Sequence, residues 1–368
     1  MPAVTPSPAR DLPALRDRID AIDRRLLGLL NERATVAAEI GEIKKADGTP
    51  AFRPEREAAV LDGLKRSNTG PLPNASVAPI WREIMSACRA LETPTRVAYL
   101  GPAGTFSELA ALSYFGSSIV KLPCANADEV FHATSAGAAD FGVVPVENSS
   151  EGVVTRSLDL FLTTPLTIVG ETSLYVRHNL LRKTDSLDGI VAVCAHPQAL
   201  AQCHAWLSHH LPNAERRPVS SNAEGARLAS LDGTLAGLAS DRAASEYGLF
   251  VAAPAIQDDA HNRTRFAIVA HPGTHPQPKA SGHDCTSLVV SVANQPGAVH
   301  DMLQPLKTHG VSMTRFESRP ARSGQWEYYF YVDLEGHPDQ ANVGSALKEL
   351  REACAFFKVL GSYPVDSH

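Results

Sequence analysis

The chain has 368 residues, enough for two or three domains. It is 44% hydrophobic and 20% charged with a net charge of −6, an ordinary soluble composition. That charge, without any Lys/Arg-rich run, argues against a nucleic-acid partner; no apolar run of about 18 residues is present to span a membrane, and the start, MPAVTPSPAR, has no apolar leader core.

Residues 11 to 92 read as helical. Apolar residues recur at Leu12, Leu15, Ile19, Ile22, Leu26, Leu29, Val36, Ile40 and Ile43 in steps of three and four, a heptad seam. Arg33 interrupts it, and an arginine in an apolar seam is costly unless it meets an anion. An unbroken helix from Asp11 to Lys45 would be ~50 Å long, more than a small domain can cover. Its seam therefore calls for a partner chain, a homodimer or a higher homo-oligomer. Lys44 follows Arg33 three turns on, nearly on the same face, whereas Arg16 lies so far back along the axis that it can reach only a partner's pocket. Pro54 opens a second helix that carries Arg56 and Glu57. A third places Ile84, Cys88 and Glu92 at steps of four.

The pattern LRDRIDAIDRRLLGLLNER, IGEIK, RPERE resembles the all-helical chorismate mutase domain of the bifunctional chorismate mutase/prephenate dehydratase family. The resemblance implies a dimeric domain over residues 8–93 in which Arg16, Arg33, Lys44, Arg53, Arg56, Glu57, Cys88 and Glu92 bind chorismate. Lys44 and Glu92 would serve the breaking ether bond, and Glu57 would accept from the ring hydroxyl. Arg53, Cys88 and Glu92 stand where aspartate, serine and glutamine can occur in the family. The chemistry suits these residues: guanidinium forks bind carboxylates, and the rearrangement needs a held conformer and charge stabilisation rather than a nucleophile.

From residue 95 the texture changes to short β-rich runs alternating with helical stretches. Strand-to-loop junctions fall in TRVAYLGPAGTFSELAAL, GVVPVENSSEGVV, VAVCAHPQALAQC, GTLAGLASDRAASEYGL and NRTRFAIVA. They predict two α/β lobes with a cleft between them, like a periplasmic binding protein, because ligands bind outside the carboxyl ends of strands. GPAGTFS, VPVENSSEG, HPQALAQC and TRF resemble prephenate dehydratase. The resemblance implies a domain over 95–271 with Thr264 at the leaving hydroxyl, coupled to Glu147. Asn148 and Gln202 would orient the substrate, and Thr105, Ser107, Arg265 and Phe266 would bind it. Ala195 stands where many relatives have serine.

HPGTHPQPKASGHD reads as a linker over 272–284. Residues 285–363 follow the order βαββαβ, a ferredoxin-like α+β unit, with ARSG as the turn between its second and third strands. With NQPGAVHDML and ESRP it resembles an ACT regulatory domain. That implies an effector site for phenylalanine at Asn294, Gly297, Ala298, Val299, Glu317, Ser318, Arg319 and Pro320. The six cysteines form no CxxC pair and the 14 histidines no HExxH, so no metal or other cofactor is expected and the compartment is read as cytoplasmic. The expected whole is an enzyme taking chorismate through prephenate to phenylpyruvate under phenylalanine control. Two alternatives share the same motifs: a dehydratase preferring arogenate beside an idle mutase, and a two-lobed ligand-binding regulator without turnover.

Overall fold

A computed structural model describes residues 11–320 and 328–365. The start at 1–10 and the ARSG segment expected as a turn lie outside the described residues. The helical segment forms α1 (Leu12–Asp47), α2 (Pro54–Ser67) and α3 (Asn74–Glu92). Gly48 stops α1 in the left-handed conformation, φ 69°, where its N–H reaches the Lys44 carbonyl. The heptad seam is bare: Leu12, Leu15, Ile19, Ile22, Leu26, Leu29, Val36, Ile40 and Ile43 are all exposed. Gly41 is the buried residue of α1, and it sits against α3, where an added Cβ would stand 2.8 Å from Glu92 Cγ. A glycine there lets Glu92 lie flat across α1.

The middle segment makes two sheets. The first has the order β2-β1-β3-β11-β5, with β1 (Thr95–Leu100), β2 (Ile119–Cys124), β3 (Phe141–Asn148), β5 (Thr167–Tyr175) and β11 (Arg263–Ala270), and the short β4 (Gly152–Val153) paired to β3. The second has the order β10-β6-β9-β7-β8, from β6 (Asn179–Arg182), β7 (Ala192–Ala195), β8 (Glu215–Pro218), β9 (Leu235–Ala239) and β10 (Phe250–Ala253). The chain leaves the first lobe after β5 and re-enters it through β11, so two crossings join the lobes, as the junction motifs predict. Helices α4 (Phe106–Phe115), α5 (Ala127–Ser135) and α6 (Thr155–Thr163) belong to the first lobe, and α7 (Pro197–Gln202), α8 (His204–His210), α9 (Asn222–Leu231) and α10 (Asp241–Tyr247) to the second.

The last segment is β12 (Asp284–Ser291), α11 (Ala298–Thr308), β13 (Met313–Pro320), β14 (Tyr328–Glu335), α12 (Ala341–Ala353) and β15 (Phe356–Pro364), with sheet order β13-β14-β12-β15. Its helices cover one face of this sheet through Leu288, Val290, Met302 and Leu347. The other face, with Val289, Tyr331, Leu360 and Tyr363, joins the core of the first lobe beside Val144, Leu158 and Phe161. Gly361 permits that contact, since a Cβ there would meet the Ile168 carbonyl oxygen at 2.0 Å. The linker is a pinned strap rather than a loose tether. The His275 ring lies 4.4 Å from that of Phe141, Gln277 accepts from Ser362 N–H at 2.8 Å, and the Pro278 carbonyl is 3.1 Å from His337 Nε2. Pro and Gly set its irregular backbone, and tertiary contacts hold it.

Candidate functional sites

The ends of the middle strands open on a cleft of about 550 Å³ between the lobes. Helices α4, α5, α6, α7, α9 and α10 all start at it: their N-cap residues Thr105, Asn126, Val154, His196, Ser221 and Ser240 line its wall. Five of these caps accept from an N–H of their own first turn. Helix N-termini carry partial positive charge, so a wall of them attracts an anion without a lysine or a free arginine. Among the described residues the one guanidinium at the wall is Arg156, and it is matched by Asp128, with Nε 2.8 Å from the carboxylate.

Thr264 sits on β11 directly across from Asn148 on β3, and Asn148 Nδ2 donates to Thr264 Oγ1 at 2.9 Å. The Asn148 oxygen accepts from the N–H groups of Ser150 and Glu151 at 3.1 and 3.2 Å. It therefore closes an Asx-type turn and holds its amide toward Thr264 at the same time. Gln202 Nε2 donates to Glu151 at 3.2 Å, which leaves its oxygen to accept from His178 Nε2 at 3.0 Å. His178 is buried, its edge meets Phe106, and burial holds its pKa below 6.5 against the opposing Gln202 bond. Thr105 Oγ donates to the Leu100 carbonyl at 2.8 Å and caps α4, and Ser107 lines the cleft behind it. Beneath the loop, burial pushes the Glu108 carboxyl up, but bonds from Gly104 N–H, Lys121 and Arg242 outweigh that and lower it.

Three expected cleft residues are elsewhere. Glu147 and Arg265 are the strand neighbours of Asn148 and Thr264, and successive strand residues face opposite sides. They point away from the cleft, into an ion network under the third domain. Arg265 meets Glu147 at 3.2 Å, Glu171 at 2.8 Å and Asp333 at 2.9 Å, and Arg315 of β13 meets Glu147 at 3.2 Å. Burial opposes the charge of Arg265, yet Glu171 and Asp333 outweigh it and keep it firmly protonated. Phe266 is 1% exposed and packs in the first lobe's core with Val97, Tyr99 and Phe141. Asn126, His178, Ser221 and Ser240 line the cleft without having been singled out from the sequence. Three caps were visible there as a capping residue followed by Glu at the third position: Thr105 to Glu108, Asn126 to Glu129 and Ser221 to Glu224.

In the helical segment Lys44 Nζ meets Glu92 Oε2 and the Ala51 carbonyl, both at 3.0 Å. Cys88 is buried on α3, and Arg33 is half-buried on α1, near enough to Glu57 to pull its pKa down. Glu57 is paired with Arg89, a residue the sequence reading passed over. Burial is the largest influence on Glu57 and raises its pKa above 4.5, against Arg89, Arg82 and Arg33. Arg53 does not join this group. It pairs with Glu55 at 2.6 Å and lines a separate hollow beside the strap at His275 and Lys279. Arg56 and Arg16 are exposed, Arg16 on the far half of α1.

In the third domain β13 and β12 run parallel through β14, so Glu317 to Pro320 and the start of α11 share one end of the sheet. Gly297 caps α11 at φ 83°, Asn294 and Val299 are exposed, and Ala298 is half-buried. Ser318 and Pro320 are exposed on the edge strand. Arg319 is turned down onto α6, 2.9 Å from the Thr155 carbonyl and 3.5 Å from Asp159, so it ties two domains together instead of facing an effector.

Comparison with known proteins supports the three-part division. Family models for chorismate mutase type II, prephenate dehydratase and the ACT domain match residues 15–93, 97–274 and 286–352. A bifunctional chorismate mutase/prephenate dehydratase from Neisseria gonorrhoeae is 51% identical over 95% of this chain and 96% of its own. The structure of a prephenate dehydratase from Arthrobacter aurescens in complex with L-Phe superposes with a TM-score of 0.67 at 34% identity, covering 73% of this chain and 89% of that one. GqqA, described as a novel type of quorum quenching acylase, superposes equally well at 30% identity over 74% of this chain and 98% of that one. Matched in all three segments and along nearly its whole length, the chain belongs to the bifunctional chorismate mutase/prephenate dehydratase family.

Proposed function

We propose that the helical domain rearranges chorismate to prephenate and that the interlobe cleft converts prephenate to phenylpyruvate. The observation that carries the second step is the cleft itself: helix N-termini and neutral polar side chains gathered around Thr264. A dianionic ring acid suits that wall. Because Asn148 donates to Thr264 Oγ1, the hydroxyl proton of Thr264 is free to point at a ligand. It donates to the ring hydroxyl as the C–O bond breaks. The electron pair of the bond to the ring carboxylate moves into the ring, carbon dioxide departs, and the leaving hydroxyl departs as water with one proton drawn from solvent and relayed through Thr264 Oγ1, which ends protonated as it began. Gln202, held by His178 and Glu151, orients the ring. Asp128, the acid at the wall, is already matched by Arg156, which favours the keto acid over an amino acid such as arogenate.

In the helical domain Arg33, with Arg16 of a second copy, grips the chorismate carboxylates, Lys44 donates to the ether oxygen, and Glu57 accepts from the ring hydroxyl. The bare seam of α1 is the dimer interface that brings the second Arg16. The third domain takes phenylalanine at the sheet end carrying Asn294, Gly297 to Val299, Glu317, Ser318 and Pro320. Its signal reaches the cleft through Arg315, Glu147 and Arg265, which flank the catalytic pair on β3 and β11. The enzyme works in the cytoplasm, and all six of its cysteines are free thiols. Purified protein given chorismate, prephenate and arogenate in turn, with loss of chorismate and appearance of phenylpyruvate followed, tests the assignment. Phenylpyruvate from Thr264→Ala at the parent rate would sink it.

A further inference from the structure

Arg89 is a cation buried to 5% exposure at the seam between the helical domain and the first lobe. Its guanidinium has three neighbours. One terminal nitrogen meets the Glu57 carboxylate, the other donates to the Phe115 carbonyl at 2.5 Å, and its face lies 4.7 Å over the Phe52 ring. Phe115 ends α4 of the cleft domain. Phe52 precedes α2, yet it is buried in the core of the first lobe, with ring centroids 5.0 Å from Phe115 and 5.2 Å from Phe141. A buried guanidinium needs an anion, and the half-buried Glu57 carboxylate is held beside a cation, so Arg89 and Glu57 depend on each other.

We propose that Arg89 is a positioning residue of the mutase: it fixes the Glu57 carboxylate for the ring hydroxyl, and because its carbonyl partner Phe115 belongs to the first lobe and its ring partner Phe52 is seated in that lobe's core, the dehydratase domain builds part of the mutase pocket. This rests on the reading of Glu57 as the hydroxyl acceptor. The groups that face Glu57 are Arg33 from α1 and Arg82 and Arg89 from α3, and the hollow it borders is also lined by Tyr114 and Glu171. Burial favours the protonated acid, which loses one acceptor oxygen, and the arginines oppose this. Removing Arg89 leaves Arg33 and Arg82 to do so alone.

The test is the pH dependence of mutase kcat/KM in the full chain for the parent, Arg89→Leu and Arg89→Lys, with a thermal melt of each. Arg89→Leu keeps bulk without charge; its acid limb moves to higher pH, and activity at a pH on that limb falls by about tenfold for each pKa unit moved, since well below the pKa one unit is tenfold in the ionised fraction. Arg89→Lys keeps the charge but cannot hold carboxylate and carbonyl in one plane, so its limb stays nearer the parent's while kcat falls. If Arg89→Leu does not fold, the lysine variant decides: a limb and a kcat both equal to the parent's overturn the proposal, as does an unmoved limb in a folded Arg89→Leu. A parent without mutase activity removes the proposed function and this inference with it. A parent that is active, beside arginine variants with unmoved limbs, removes this inference alone.

Discussion

The two pockets are read as holding ring acids of the same double charge, and they are built in opposite ways. The mutase pocket presents full charges on long side chains: Arg33, Lys44, Glu57, Arg89 and Glu92, most of them already paired with one another. The cleft presents helix ends and neutral amides and hydroxyls, and Arg156, its one arginine among the described residues, is matched by an aspartate. Side chains on helices can be contributed by a second chain, so the first kind of site can be shared across a dimer. Helix N-termini cannot be lent in that way without moving whole elements.

The largest effects should separate the two sites cleanly. Thr264→Ala removes the donor at the leaving hydroxyl and should cost the dehydratase about 10²–10⁴ in kcat while chorismate is still consumed. Lys44→Ala removes the charge at the ether oxygen and should cost the mutase about 10²–10³ while prephenate is still converted. Coupled loss of both activities in either variant, with folding intact by melting, would refute the division. Leu26→Glu comes next. It puts a charge in the bare seam of α1, where Leu26 is 51% exposed. Size-exclusion should show a smaller species, and mutase kcat/KM should drop by about 10² through loss of the partner's Arg16, with dehydratase turnover kept. A dimer of unchanged mutase activity would show that the seam is not the shared edge.

The same contrast explains how much could be read in advance. The three segments, the helical seam and its exposure follow from periodicity, and the cleft follows from strand ends rich in Gly, Asn and Ser. The facing of Glu147 was not legible. Alternation requires that Glu147 and Asn148 look opposite ways, but Val143, Val144 and Val146 are all buried, so β3 gives no apolar-to-polar pattern to say which side is the cleft. Arg265 and Thr264 share that ambiguity, and their pairing across strands fixes both at once. Arg89 reads in sequence as one more exposed helical arginine, and only the docking of Phe52 into another domain's core buries it. The strap at 272–284 shows the reverse, a segment of loose composition held by neighbours far away in sequence.

A smaller effect concerns regulation. Arg315 is the third domain's arm on Glu147, next to Asn148. Arg315→Met should leave turnover without effector near the parent value, because the catalytic pair keeps its own hydrogen bond. The phenylalanine concentration for half inhibition should rise about fivefold or more, a modest coupling free energy. Inhibition curves that superpose would move the route of communication to the apolar contact between Tyr331, Leu360 and Leu158.

The smallest expected effect is on stability against pH, and it follows from the neutral character of the cleft. His178 is 2% exposed, and its burial lowers its pKa; His275 is lowered in the same way by burial, with Asp140 opposing. In the unfolded chain both histidines titrate near 6.5, so below that pH the unfolded state binds the extra proton and gains on the folded one. The stability that goes with neutral His178 is therefore complete above its unfolded pKa and is lost as pH falls toward the folded value. His178→Gln still donates to the Gln202 oxygen but cannot titrate, so its melting temperature should fall less steeply than the parent's between about pH 7.5 and 5.5, His275 accounting for part of what remains. Acid thus acts on the two sites through opposite chemistry, charging a neutral support of the cleft and discharging Glu57 in the mutase. A calorimetric slope identical in parent and variant would mean that His178 can take up its proton in place, and that the cleft tolerates a charge its construction otherwise avoids.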